Sequence, residues 1–201
     1  MVRTDRLLKE RPRLEVERLE DDQLLAARAK TDREAFGLLY DRYLDRVYGY
    51  CRRRMATREE AEDATSQVFI KALAAMGRYR AESPSFAAWI FTIAHNVVID
   101  HGKAATRRSR LPWRPERQPA DDPMESAVAA EAARELRSML VKLPPDQAEV
   151  IQLRLSGLSD QEIAIVLGRS HGAIRIAQHR AIKRLRLLFG VKHPDSNHGK
   201  P

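Results

Sequence analysis

Cysteine is nearly missing from this chain. Cys51 is the one example in 201 residues, so no intramolecular disulfide can form and a cysteine-based zinc site has too few ligands. Aromatic residues make up only 6%, and 9 glycines and 10 prolines exclude a collagen-like or low-complexity chain. Long hydrophobic runs are missing too. The most apolar stretch, FAAWIFTIAHNVVI, is broken by Thr92, His95 and Asn96 and falls short of the roughly 20 residues that span a bilayer. The opening MVRTDRLLKERPRLEVERLEDD has no apolar signal core. These gaps predict a soluble protein of the reducing cytoplasm that does not engage a membrane. There is no Gly-rich phosphate loop and no Ser or Cys nucleophile signature, so no cofactor is expected. Glu59, Glu60, Glu62 and Asp63 form a solvated acidic helix start with no partner group for acid–base catalysis. His95 and His101 are not at the i, i+4 spacing of a helical metal pair.

Charge is abundant. Lys plus Arg is 36 against 28 for Asp plus Glu, a net charge of +8, and 43% of residues are hydrophobic. The chain can bury a core, and its basic excess suits a polyanionic partner.

Nearly every segment carries the helical period and none alternates like a strand. The expected fold is all-α: two small helical domains joined by a Pro/Arg-rich flexible linker, the second with a helix-turn-helix. A charged extension covers 1–20. The first domain covers 21–105, with Asp21 and Asp22 capping a short helix. Thr31 with Glu34 and Thr57 with Glu60 form two capping boxes, Gly77 ends the second of these long helices, and Ser83-Pro84 starts the next. Phe36, Leu39, Tyr43, Val47 and Tyr50 share one face. Arg52, Arg53 and Arg54 close the same helix, where cations suit its dipole. Residues 106–122 hold Pro112, Pro115 and Pro119 among arginines, a spacing that no continuous helix survives. The second domain covers 123–190 and a tail covers 191–201. In it a helix carrying Val150, Ile151 and Leu153 ends at Gly157. Ser159 with Glu162 makes a third capping box, and Gly168 and Ser170 separate two last helices.

Those last helices, LSDQEIAIVLGRSHGAIRIAQHRAIKRL, have the layout of a helix-turn-helix. No acidic residue occurs between Ile163 and Pro194, while Arg175, Arg180, Lys183 and Arg184 accumulate there. A helix entering a major groove must tolerate phosphate charge and offer donors to base edges. A second segment, 79–108, mixes Tyr79, Phe86 and Trp89 with Arg80, Asn96, His101 and Lys103, a combination suited to unpaired strands. Phe86, Trp89 and Ile93 are at helical spacing and fit a core better than a stacking surface, while Tyr79, in the loop, fits either.

In order, DREAFGLLYDRY, AEDATSQVFIKAL, YRAESPSFAAWIFTIAHNVVIDH and LPPDQAEVIQLRLSGLSDQEIAIVLGRSHGAIRIAQHRAIKRL resemble regions 2 and 4 of the extracytoplasmic-function (ECF) sigma factors of bacterial RNA polymerase. The resemblance implies core RNA polymerase and promoter DNA as partners, and no catalysis by the chain itself. It implies that Asp63, Ser66 and Gln67 meet the polymerase. It implies that Tyr79, Arg80, Glu82, Ser83, Asn96, Asp100 and Lys103 serve the −10 element. His171, Arg175, Gln178, His179, Arg180, Lys183 and Arg184 are implied at the −35 element. The chain departs from the family pattern at Ser66, Gln67, Ala177 and Gln178, where Gln, Glu, Arg and Leu are usual. Members are often held inactive by an anti-sigma factor, and no motif here identifies one. The competing reading is a stand-alone helix-turn-helix DNA-binding regulator that needs no polymerase.

Overall fold

The computed structural model describes residues 22–80, 85–109, 131, 135, 136 and 138–188, with backbone alone for 104–109. All regular structure among them is helical. A short helix α1 (22–28) precedes α2 (Arg33–Arg54) and α3 (Arg58–Ala75). A 3-10 turn (Met76–Arg78) leads toward α4 (Phe86–Ser109). After α5, described at 131, 135, 136 and 138–141, come α6 (Pro145–Leu155), α7 (Asp160–Leu167) and α8 (His171–Leu188).

The caps show which local signals win. Thr57 accepts from Glu60 N while the Glu60 carboxylate returns to the Thr57 N–H, completing the expected box. The box expected at Thr31 and Glu34 does not form. Asp32 caps α2 instead, its carboxylate accepting from Glu34 N at 2.9 Å and Ala35 N at 3.4 Å. An ionised carboxylate one residue closer to the helix is the stronger acceptor. Arg28 donates to the same side chain, and this bond is the main cause holding the Asp32 carboxyl below its ordinary range. Asp22 is not spent on capping; Arg42 and Tyr43 both donate to it, fastening α1 to α2.

Gly77 is not a left-handed stop, because α3 tightens into the 3-10 turn from Met76. Positive φ occurs at Gly157 (+83°) and Gly168 (+61°), the two glycines expected to end helices. Ser83 and Pro84 lie outside the described residues. Ser85 caps α4, accepting from Ala88 N at 3.0 Å. That helix runs on to Ser109, past the boundary expected at 105. The rest of the expected linker, 110–122, lies outside the described residues, as do 1–20 and 191–201.

Leu39, Tyr43, Val47 and Tyr50 of α2 are buried with Val68 and Ala72 of α3 and Phe86, Ile90 and Phe91 of α4. The same apolar cluster continues through Val150, Leu153, Leu158, Ile163 and Ile174. The two helical units therefore touch, with α4 packed on α7, rather than standing apart on a tether. A smaller cluster of Leu140, Leu143, Ile151 and Ala181 ties α5, α6 and α8 together.

Candidate nucleic-acid interface

The α7–α8 pair is built by three local devices. Ser159 and Glu162 close a capping box at the start of α7. Gly168 in the left-handed region returns its N–H to Ala164 O and Ile165 O, ending α7 sharply. Ser170 Oγ accepts from Ala173 N at 3.2 Å and starts α8 two residues later. Ile174, Ala177 and Ala181 are buried along one edge of α8. The burial of Ala177 explains a small residue there: a long cation would have to enter the packed side.

His171, Arg175, His179, Arg180, Lys183 and Arg184 are all exposed on α8. Gln178 stands apart from them. It is half-buried, and its Oε1 accepts from Arg154 Nη2 at 3.3 Å. Arg154 also donates to Leu158 O at 2.8 Å and pairs with Asp160, so Gln178 belongs to the joint between α6, α7 and α8.

Asn96, Asp100 and Lys103 are exposed along one face of α4, at steps of four and three residues. Arg80 is exposed, and Glu82 and Ser83 lie outside the described residues. Tyr79 departs from expectation. Only 2% of it is exposed, and its ring meets Trp89 at 5.2 Å and Phe86 at 5.9 Å. An aromatic ring gains more from this packed cluster than from water, so in this conformation it is not presented for base stacking. Burial raises the Tyr79 pKa.

Asp63, Ser66 and Gln67 are exposed on α3. Gln67 Oε1 lies 3.1 Å from His101 Nε2, and Lys71 faces Asp100 at 4.0 Å, so the outer face of α3 adjoins that of α4. Ser66 lines a groove with Tyr40, Leu44, Tyr48 and Phe69.

A third feature was not legible in the sequence. Arg53 Nη2 donates to Ser156 Oγ at 2.6 Å and to Gln152 O at 3.3 Å. Arg46 Nε donates to Ser156 O at 2.9 Å, and Arg54 Nη1 to Gln152 Oε1 at 3.2 Å. Arg54 also faces Glu149 at 3.8 Å. Three cations of α2 thus converge on the C-terminal end of α6, where carbonyls carry partial negative charge. Across the same seam, Ser85 Oγ donates to Glu162 Oε1 at 2.6 Å. Burial lowers the Arg53 pKa. Three consecutive arginines exceed what a helix terminus requires, but the partners of Arg53 and Arg54 lie about 100 residues away.

Among the described residues, no cluster of His, Cys, Asp and Glu could hold a metal ion, and no helix is long and apolar enough to cross a membrane. Comparison with known proteins decides the family. Sigma-70 region 2 matches residues 39–108 and Sigma-70 region 4 matches 133–185. The SigD ECF RNA polymerase sigma factor of Mycobacterium tuberculosis is 35% identical over 173 residues, covering 82% of each chain. The chain belongs to the ECF RNA polymerase sigma factors.

This sigma factor is also 38% identical over 164 residues to BldN of Streptomyces coelicolor, across 78% of its own length and 61% of that relative's. Of the solved structures, CnrH in complex with the cytosolic domain of CnrY superposes with TM-score 0.68 at 27% identity, covering 86% of the sigma factor and 99% of CnrH. RpoE of Bartonella quintana, solved with the anti-sigma factor NepR, shares the fold at TM-score 0.65 and 23% identity, over 79% and 98% of the two chains. The region 2 match spans most of α2, all of α3 and nearly all of α4; the region 4 match spans α6 and α7 and most of α8. Like its family, the sigma factor acts in transcription initiation, directing RNA polymerase to promoters.

Proposed function

We propose that the three exposed faces divide this work. The face of α3 with Asp63, Ser66 and Gln67 holds core polymerase. Arg80, Glu82, Ser83, Asn96, Asp100 and Lys103 serve the −10 element, with the Asn96 amide offering donor and acceptor to an unpaired base. Tyr79, locked against Phe86 and Trp89, anchors the base of that loop rather than stacking on DNA. The exposed cations of α8 serve the −35 element, with Arg175 near the start of the helix on base edges and Arg184 farther along on phosphate. The carrying observation is that α8 presents seven exposed basic or His side chains and no acid from a capped helix-turn-helix. The chain supplies binding energy and no covalent chemistry, and it works in the cytoplasm.

The clasped arrangement is then the unengaged form. Elements named −10 and −35 lie about 25 base pairs apart, or about 85 Å at about 3.4 Å per pair. A compact chain of this length has a radius of gyration of only about 16 Å. Reading both elements at once therefore requires α6–α8 to leave α2 and α4. The likeness to CnrH, whose structure contains CnrY, supports a protein partner of the anti-sigma kind that acts on this equilibrium.

Transcription by purified core polymerase on a genomic promoter pool, with and without the protein, tests the reading. Promoter-specific transcripts that depend on the protein are expected. A chain that binds duplex DNA specifically by itself, yet never joins core polymerase, would instead be the stand-alone regulator.

A further inference from the structure

Ile176 is a misfit on the outer face of α8. It is 55% exposed, although α8 buries Ile174, Ala177 and Ala181 on its other side. Its neighbours one turn on are His179 and Arg180, with Lys183 a turn beyond, all exposed. One turn back stand Gly172 and Ala173, also exposed, and a Cβ built on Gly172 meets nothing within 4 Å. Side chains of a helix lean toward its N-terminus, so Ile176 overhangs this low ground. The leading turns of such a helix are the ones that approach base edges.

An isoleucine cannot bond to a phosphate or to a donor or acceptor on a base. The one feature of the major-groove edge that it complements is the C5-methyl group of thymine. Its small neighbours Gly172 and Ala173 let the edge come close, and the surrounding cations fix the helix against the backbone. We propose that Ile176 is a specificity residue of this sigma factor that selects a thymine in the −35 element by packing on its methyl group. The inference rests on the reading that α8 enters the groove at that element.

The test uses holoenzyme assembled from core polymerase and the full chain. A promoter fragment is first recovered from a library randomised across the −35 element. Each thymine there is then replaced singly by deoxyuridine, which removes the methyl and keeps the base pairing. At one position, wild-type holoenzyme should bind about fourfold more weakly, the worth of one buried methyl-sized group. Ile176→Ala should bind the thymine fragment about fourfold more weakly and be indifferent to deoxyuridine. Ile176→Val, which keeps the branch, should retain most of the discrimination. Alanine at an exposed helical position favours the helix, so the variant keeps its fold. If no deoxyuridine weakens wild type, or if Ile176→Ala discriminates equally well, the assignment is overturned while the placement of α8 stands. If nuclease footprints show the −35 region unprotected, both fall.

Discussion

Arg53→Ala should loosen the seam between the two helical units without unfolding either. In the native chain, Arg53 gives one short charge-assisted hydrogen bond to Ser156 Oγ and one long bond to Gln152 O. Such bonds contribute about 1.5–3 kcal/mol each at good geometry. Against that stands the cost of burying the guanidinium, whose Nε has no hydrogen-bond partner. The substitution also orphans little. Ser156 Oγ still donates to Gln152 O at 3.0 Å, and Ser156 N still donates to the same carbonyl at 3.2 Å. The balance is a loss of about 1–2 kcal/mol, a factor of about 5–30 in the closed-to-open ratio. Thiol labels at Ala74→Cys on α3 and Arg186→Cys on α8, both exposed sites, would report the separation. Cys51 will not compete, since burial shields it and pushes its pKa up to about 11. The distance distribution should broaden to longer separations in Arg53→Ala, and Ser156→Ala should do the same from the other side. The double variant should add less than the sum of the two. Unchanged distances in Arg53→Ala, or strictly additive effects, would refute a specific arginine clasp and leave the apolar contacts alone holding the units together.

Two further outcomes follow from local geometry. Ser159→Ala removes the acceptor for Glu162 N, a bond of 3.3 Å, and should cost about 1 kcal/mol. Thermal unfolding should shift down by about 2–4 °C, and a shift of zero would mean the Glu162 carboxylate caps α7 unaided. Tyr50 OH and His95 Nδ1 are 3.1 Å apart, and burial lowers the His95 pKa below 6.5, with Arg54 and Arg169 adding to the effect and Glu149 opposing it. The unfolded chain therefore binds the His95 proton first as pH falls, so stability is full above about 6.5 and declines below it. In denaturant titrations from pH 7.5 to 5.5 that decline should be shallower in His95→Gln; an identical slope would show that His95 is not responsible.

The local parts of this fold were legible because their causes lie within four residues. Thr57–Glu60, Ser159–Glu162, Gly157, Gly168 and Ser170 each act on their own turn, and each does in the structure what its spacing implies. Thr31 misled because Asp32, one residue on, is the better acceptor. Tyr79 misled differently. A Tyr among cations fits both a core and a base-stacking surface, and only the placement of Phe86 and Trp89 around it decides. The exposed cations of α8 were legible from the missing acids, whereas the inward pull of Arg154 on Gln178 was not, because it comes from another helix. The same applies to Arg46, Arg53 and Arg54: the last turn of α2 accounts for the charge of Arg53 and Arg54, and nothing local tells of the reach of the three.

The seam has one more property. Glu162 spends Oε2 on Ser159, at 2.7 Å from its N–H and 2.8 Å from its Oγ, and only Oε1 on Ser85. Ser85 accepts from Ala88 N with its lone pair and reaches Glu162 with its proton. Arg46 takes the Ser156 carbonyl, while the Ser156 N–H stays within its own unit. These polar links across the seam therefore use hydrogen-bonding capacity left over after each helix end has been secured. Water can replace them one for one without uncapping a helix. The polar joints of the seam are thus detachable: α6–α8 can part from α2 and α4 at these links with every helix cap intact, so what a separation must overcome is the shared apolar contact.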